Sequence, residues 1–475
     1  GRVGTLGRLQ YNYKGKYLFS VLGRYDGSSQ FSSNNKWGFF PSASAAWNVS
    51  DEGFWKPFKH VVNNFKIRAS YGETGYDEIP SYGFSSTIGQ GADYIFSETD
   101  GSFNNGVAIR DYANEELKWE TSKSFNIGVD LSFLRNKFVV TAEYYNTKKE
   151  DMLLGITLPS SSGAFNQTGN APFDIFDHTG VILNVGNMTN QGFELAAKYT
   201  EKIGQSKLTL NATFSKNLNE ITNLYDNVAF INNGNSNLVV GDVQNSLITR
   251  YAKGYEAGAF FIYETNGVIQ TDEELAAYQL LGGRDNAKKG DLRYVDTNND
   301  GEINAEDKVY KGSGLPDFEI GFNLNWRYKN FDLAMNWFGS VGAEIMNGNK
   351  AVSYIAGRHP DLSNMWTENN PTSNIPNWSG GKGDLNHNGN TDYWLENGDY
   401  LRLKLITLGY SLPKDVLDKI SLSNLKLFVS AQNPITITGY DGYDPEIGGN
   451  VARRGLDVSR YPVSALYSIG VNVGF

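Results

Sequence analysis

The chain has 475 residues, a formal net charge of −10, no cysteine and only four histidines, His60, His178, His359 and His387. That excludes a disulfide scaffold, thiolate metal centres and a cysteine nucleophile, and it leaves too few imidazoles for a histidine-rich metal site. The acidic balance, without a polybasic run, argues against a nucleic-acid partner. The absence of G-x-S-x-G, P-loop and H-E-x-x-H motifs argues against an enzyme.

No apolar stretch approaches the ~18–20 residues of a membrane-spanning helix. The opening Gly1-Arg2-Val3-Gly4 has no charged segment followed by an apolar core, so no secretory leader is read there. The dominant signal is instead a period of two. In chain order it predicts strands at 5–13, 17–25, 37–49, 64–72, 123–133, 137–146, 191–200, 207–217, 318–327, 331–339, 400–410, 425–433 and 465–475. The last strand is the clearest: Tyr467, Ile469, Val471, Val473 and Phe475 alternate with Ser468, Gly470, Asn472 and Gly474. Short connections such as Lys14-Gly15-Lys16 and Tyr328-Lys329-Asn330 predict antiparallel hairpins. Between hairpins lie long polar stretches at 73–117, 147–190, 218–317, 340–399 and 434–462.

Short turns at one end and long loops at the other are the asymmetry of an outer-membrane β-barrel. The competing soluble β-sandwich does not account for so many Tyr, Trp and Phe near strand ends, which suit interfacial girdles in lipid. The expected fold is therefore all-β, an antiparallel transmembrane barrel with long extracellular loops. Thirteen predicted strands are an odd number, whereas single-chain bacterial barrels are even. If the C-terminus is periplasmic, residue 1 falls on the extracellular side, and the expectation is the C-terminal part of a larger barrel.

Several blocks carry a family resemblance. Arg24-Tyr25-Asp26-Gly27-Ser28-Ser29 is followed by Trp37-Gly38-Phe39-Phe40-Pro41-Ser42. Next come Leu117-Lys118-Trp119-Glu120-Thr121, Asn126-Ile127-Gly128-Val129-Asp130 and Tyr144-Tyr145-Asn146. Later blocks are Asn190-Gln191-Gly192-Phe193-Glu194, Gly290-Asp291-Leu292-Arg293-Tyr294, Tyr400-Leu401-Arg402-Leu403-Lys404 and Ala431-Gln432-Asn433-Pro434. Together and in this order, the chain resembles the SusC/RagA-type TonB-dependent outer-membrane transporters of Bacteroidetes. Leu405 departs from the Asn that is commoner there. The resemblance implies a barrel of about 22 strands, of which this chain is the C-terminal portion over 1–475, without the plug, TonB box and signal peptide. It also implies a C-terminal aromatic insertion signal, here Phe475. The implied partners are TonB, through the N-terminal part, a SusD-like surface lipoprotein and outer-membrane lipid.

Within the loops, Asp296, Asn298, Asp300, Gly301, Glu302 and Asp307 read D-x-N-x-D-G-x-I-x-x-x-D, an oxygen-ligand spacing that suits Ca2+, with Glu302 offering its carbonyl. An Asx-rich turn without metal is the bland alternative. The stretch Asp384-Leu385-Asn386-His387-Asn388-Gly389-Asn390-Thr391-Asp392 imitates the first half of that loop but lacks the later carboxylate at the proper spacing, and it reads as a polar turn. Thr271-Asp272-Glu273-Glu274 has the capping-box form that starts a short helix. Trp366, Trp378 and Trp394, and in the next loop Tyr440, Tyr443 and Asp444, are the candidate contacts to substrate or partner, since aromatic faces suit sugar rings and proteins alike. The expected function is TonB-driven import of a glycan or peptide fragment. A passive porin and a calcium-dependent extracellular β-adhesin are the alternatives.

Overall fold

The computed structural model describes residues 1–79, 81, 83–90, 94–95, 103–104, 106–157, 180–225, 228–233, 236–238, 247–378, 386 and 389–475. Thirteen long strands form one sheet in which each pairs with its neighbour in chain order. They are β1 (Arg2–Tyr13), β2 (Tyr17–Ser28), β3 (Trp37–Asn48), β4 (Val62–Tyr76), β5 (Glu120–Phe133), β6 (Phe138–Glu150), β7 (Asn187–Ile203), β8 (Ser206–Asn223), β9 (Phe318–Tyr328), β10 (Phe331–Val341), β11 (Tyr400–Ser411), β12 (Asn424–Thr438) and β13 (Leu466–Gly474). Each coincides with a predicted strand. The edge strands β1 and β13 are paired on one side only. Among the described residues no helix is long and apolar enough to cross a membrane.

The alternation sorts side chains by face. Along β13, Tyr467, Ile469, Val471 and Val473 are exposed, Ile469 at 87%. So large an exposed apolar surface is stable only in lipid or against a partner. The short turns use positive φ, as the strand twist demands: Lys14 and Gly15 adopt 53° and 69° between β1 and β2. Leu134, Arg135 and Asn136, at 51°, 60° and 64°, turn β5 into β6.

The chain divides into two compact units, Gly1–Leu195 with Asn217–Ala229, and Ala196–Lys216 with Phe230–Phe475. In the first, the loop segments carry a small core of Phe31, Ile79, Leu117, Leu153 and Ile182, with Trp119 packed against it. Strands Leu153–Thr157 and Gly180–Asn184 pair there. Asn184 Oδ1 accepts from the Lys118 amide at 2.9 Å.

In the second unit the two-residue period predicted over 400–410 breaks. Against β10 the register steps at Lys404, with Asn336 opposite Leu405 and Trp337 opposite Leu403. Against β12, Leu403 faces Ile435 and Leu405 faces Gln432. Asn433 adopts a φ of 47° at that bulge. The bulge is also where a proline can sit in a strand without leaving a ladder position empty. Hence β12 passes Pro434 and runs to Thr438, beyond the predicted end at 433.

Candidate functional site

The loops of the second unit fold into a structured cap. Four short strands, Phe230–Asn232, Thr249–Ala252, Ala259–Tyr263 and Lys308–Ser313, form one sheet. A second sheet joins Glu344–Asn347 to Leu395–Asn397 and to Leu456–Asp457, so segments from the β10–β11 and β12–β13 connections pair directly. Leu238, Ile248, Phe260, Ile262, Met346, Tyr354, Trp394 and Leu456 pack as one core beneath them. This apolar set is scattered over more than two hundred residues of sequence, with no period to announce it.

Trp394 is 0% exposed. Its ring meets Tyr354 and Tyr393 edge-on, with centroids 5.1 Å and 4.9 Å away. With no open face it packs the cap and cannot stack on a ligand. Trp366 is also buried, its Nε1 donating to the Pro371 carbonyl at 3.0 Å. Tyr440 is buried and donates to Asp457 Oδ2 at 2.7 Å; burial and that carboxylate push its hydroxyl pKa up. Trp378, 39% exposed, and Tyr443, 76% exposed, are the predicted aromatics that present rings to solvent.

Asp444 is buried against Arg402, whose Nη2 donates to Asp444 Oδ1 at 2.5 Å. Burial alone would raise the Asp444 pKa, but Arg402 and the amides of Glu446 and Val463 hold it below the usual carboxylate value. Arg402 also reaches Glu446 Oε2 at 2.7 Å, and Lys404 joins the same oxygen at 2.5 Å. Two residues lacked any sequence signal. Arg250 lies with its guanidinium carbon 4.1 Å from the Phe230 ring centre and 5.1 Å from that of Phe261. Lys308 is buried with Nζ donating to the Leu247 carbonyl at 3.0 Å. Burial and the nearby Arg250 charge pull its pKa down to about 8.

The acidic loop forms a tight turn. Asp296 accepts from the amides of Asp300 and Gly301 at 3.2 Å and 2.9 Å. Asp300 accepts from the Glu302 amide at 2.8 Å and from Asn298 Nδ2 at 2.9 Å, contacts that depress its pKa. Gly301 takes the φ of 85° that the turn needs. Asp307 is fully buried, with Oδ1 on the Thr297 amide and Oδ2 on the Asn304 amide, both at 2.8 Å. The oxygen-only donor set suits a hard cation in chemistry, but its carboxylates are engaged with the turn's own N–H groups. Among the described residues no three acidic, His or Cys side chains converge on one point. Thr271 caps the helix Asp272–Tyr278 as expected, its Oγ1 accepting from the Glu274 amide at 3.1 Å. Of the second Asx-rich stretch, Asp384, Leu385, His387 and Asn388 lie outside the described residues.

The profile of the family described as TonB dependent receptor-like, beta-barrel, matches residues 3–433. The chain belongs to that TonB-dependent receptor family. Among relatives of the family, TonB-dependent receptor P3 of Formosa agariphila is 34% identical over all of this chain and 45% of its own length. TonB-dependent receptor SusC of Bacteroides thetaiotaomicron is 28% identical over 100% of this chain and 44% of its own length. The solved structure of the RagAB peptide transporter covers 100% of this chain and 47% of that one, at 24% identity and a TM-score of 0.78, and shares the fold. The chain thus spans less than half the length of these relatives. It is a SusC/RagA-type outer-membrane β-barrel segment, as the ordered blocks implied.

Proposed function

We propose that this chain supplies barrel wall and extracellular cap to a TonB-energised importer of peptide or glycan fragments, paired with a SusD-like surface lipoprotein. The observation that carries the reading is the knitted cap: segments from separate connections share one sheet and one core. A simple pore has no need to order its outer loops so heavily, whereas a receptor that hands ligand to a partner does. The fold is shared with the RagAB peptide transporter, which keeps peptides among the candidate ligands beside glycans. The plug and the TonB contact belong to the remainder of such a protein, and the chain's own share is enclosure, display and docking.

The test uses the full-length protein in its native membrane. Uptake of a labelled oligopeptide or oligosaccharide pool should vanish on TonB deletion or proton-gradient collapse, and affinity capture of the transporter should recover a surface lipoprotein. Uptake that persists without TonB, with open-channel conductance, would replace this reading by a passive pore.

We also propose that Ca2+ stiffens the turn at Asp296, Asn298, Asp300, Glu302 and Asp307. The ligand order and millimolar extracellular calcium support it; binding requires Asp307 to exchange its two amide contacts for the ion. Calorimetry on the intact protein should show a calcium heat that Asp300→Ala removes, and no such heat would dismiss the metal.

A further inference from the structure

On the apolar face of the second unit, near the short turns, β7, β8, β9 and β10 line a trough of about 440 Å³. Its floor is made by Leu208, Leu324 and Leu333. Register places Leu208, Trp326 and Leu333 side by side in one cross-strand row, with Ser206, Tyr328 and Phe331 in the next row toward the turns. Trp326 Nε1 donates to Ser206 Oγ at 2.8 Å, fixing the indole at the turn end of the trough. Tyr328 stacks on Trp326 with centroids 6.1 Å apart and planes at 9°.

Two opposite charges stand at this end on the apolar face. Lys329, in the β9–β10 turn, is exposed and holds its ammonium 5.5 Å from the Tyr328 ring centre, which brings the cation onto the same side as the aromatics. Glu201 lines the trough and accepts from Tyr199 Oη at 3.1 Å. A peptide would be a poor occupant, because its backbone would lack hydrogen-bond partners on a face whose ladder is complete. A diacyl lipid has no such need. The trough's volume lies within the ~300–1,000 Å³ of ordinary ligand sites, and Trp and Tyr are the residues that hold position at headgroup depth.

Resting on the reading of this sheet as an outer-membrane barrel wall, we propose that the trough is a binding site for one zwitterionic glycerophospholipid of the leaflet at the short-turn end. An acyl chain lies along Leu208, Leu324 and Leu333, the phosphate meets Lys329, and an ethanolamine ammonium meets Glu201. The acid and base together select a headgroup bearing both charges over an anionic glycerol headgroup, which Glu201 repels, and over a quaternary choline, which cannot donate a hydrogen bond to it.

The test is native mass spectrometry of the full-length protein, extracted in mild detergent and offered phosphatidylethanolamine, phosphatidylglycerol and phosphatidylcholine in equal amounts. The wild type should retain phosphatidylethanolamine about fivefold over either competitor, roughly 1 kcal/mol. Glu201→Gln should erase that preference, Lys329→Gln should lower retention of all three, and Leu324→Trp should fill the trough and remove retained lipid. Equal retention of the three lipids by the wild type, or unchanged retention in Leu324→Trp, would overturn the site. Heat-modifiable migration of each variant reads barrel assembly separately: its absence in the wild type would count against the wall reading, and its presence with no lipid selectivity would count against the site alone.

Discussion

Arg402 and Asp444 form a buried ion pair, 2.5 Å between Nη2 and Oδ1, that fastens the β12–β13 connection onto strand β11. Removing one partner strands the other in a dry site, a loss of about 3–5 kcal/mol. Asp444→Ala should therefore release this connection while the wall persists. Hydrogen exchange over 439–463 should accelerate, with β11 and β12 unchanged below the bulge. The pH dependence follows from the depressed Asp444 pKa. Its contribution is complete above the unfolded value of 3.8 and is lost as pH falls through the lower folded value. Protection of 439–463 should hold from neutrality to about pH 4 and decline below it.

Lys308 predicts a slope of the same sign in an alkaline window. Its folded pKa of about 8 lies beneath the ordinary 10.5, so the unfolded chain binds more protons between those values and stability rises as pH rises across that window. Below about pH 8 the charged ammonium is buried at constant cost. Lys308→Met should leave the cap's exchange rates flat between pH 8 and 10, whereas the wild-type rates, corrected for intrinsic chemistry, should slow. Identical slopes in the two proteins would show that another group titrates there.

The wall was legible because its constraint is local: each strand repeats an apolar side chain every second residue, and thirteen strands could be placed from that period alone. Where the period failed, chemistry intervened. Pro434 reads as a strand end, yet the bulge opposite Lys404 absorbs the missing N–H and β12 continues. The cap was not legible, because its core joins Leu238, Phe260, Trp394 and Leu456 from separate connections. Aromatic content marked the right loops without telling which rings are covered. Arg402 appeared only as one residue in a family block, since its partner Asp444 lies a whole hairpin away.

That difference between covered and open rings can be measured. Trp394→Ala empties a fully buried site and should cost the cap about 3–5 kcal/mol, detected as new protease cleavage within 340–399 at unchanged heat-modifiability. Trp378→Ala and Tyr443→Ala remove exposed rings and should leave the cap resistant to protease, yet lower uptake of the cognate ligand or capture of the lipoprotein by about 1 kcal/mol or more if they lie in the contact. Should both exposed-ring variants transport and capture normally, recognition resides elsewhere in the cap.

The last residue separates assembly from stability. Phe475 is 96% exposed and follows the final paired position of β13, so its ring contributes no packing within this chain. Deleting it should leave the melting behaviour of already assembled protein within ~0.5 kcal/mol of wild type, as for a surface residue. If the ring acts as an insertion signal, the same deletion should lower the amount of protein that reaches the outer membrane and leave an unfolded, heat-unmodifiable pool behind. Measuring both quantities in one preparation discriminates the roles: reduced assembly with normal stability supports a signal, and normal membrane levels remove that role from Phe475.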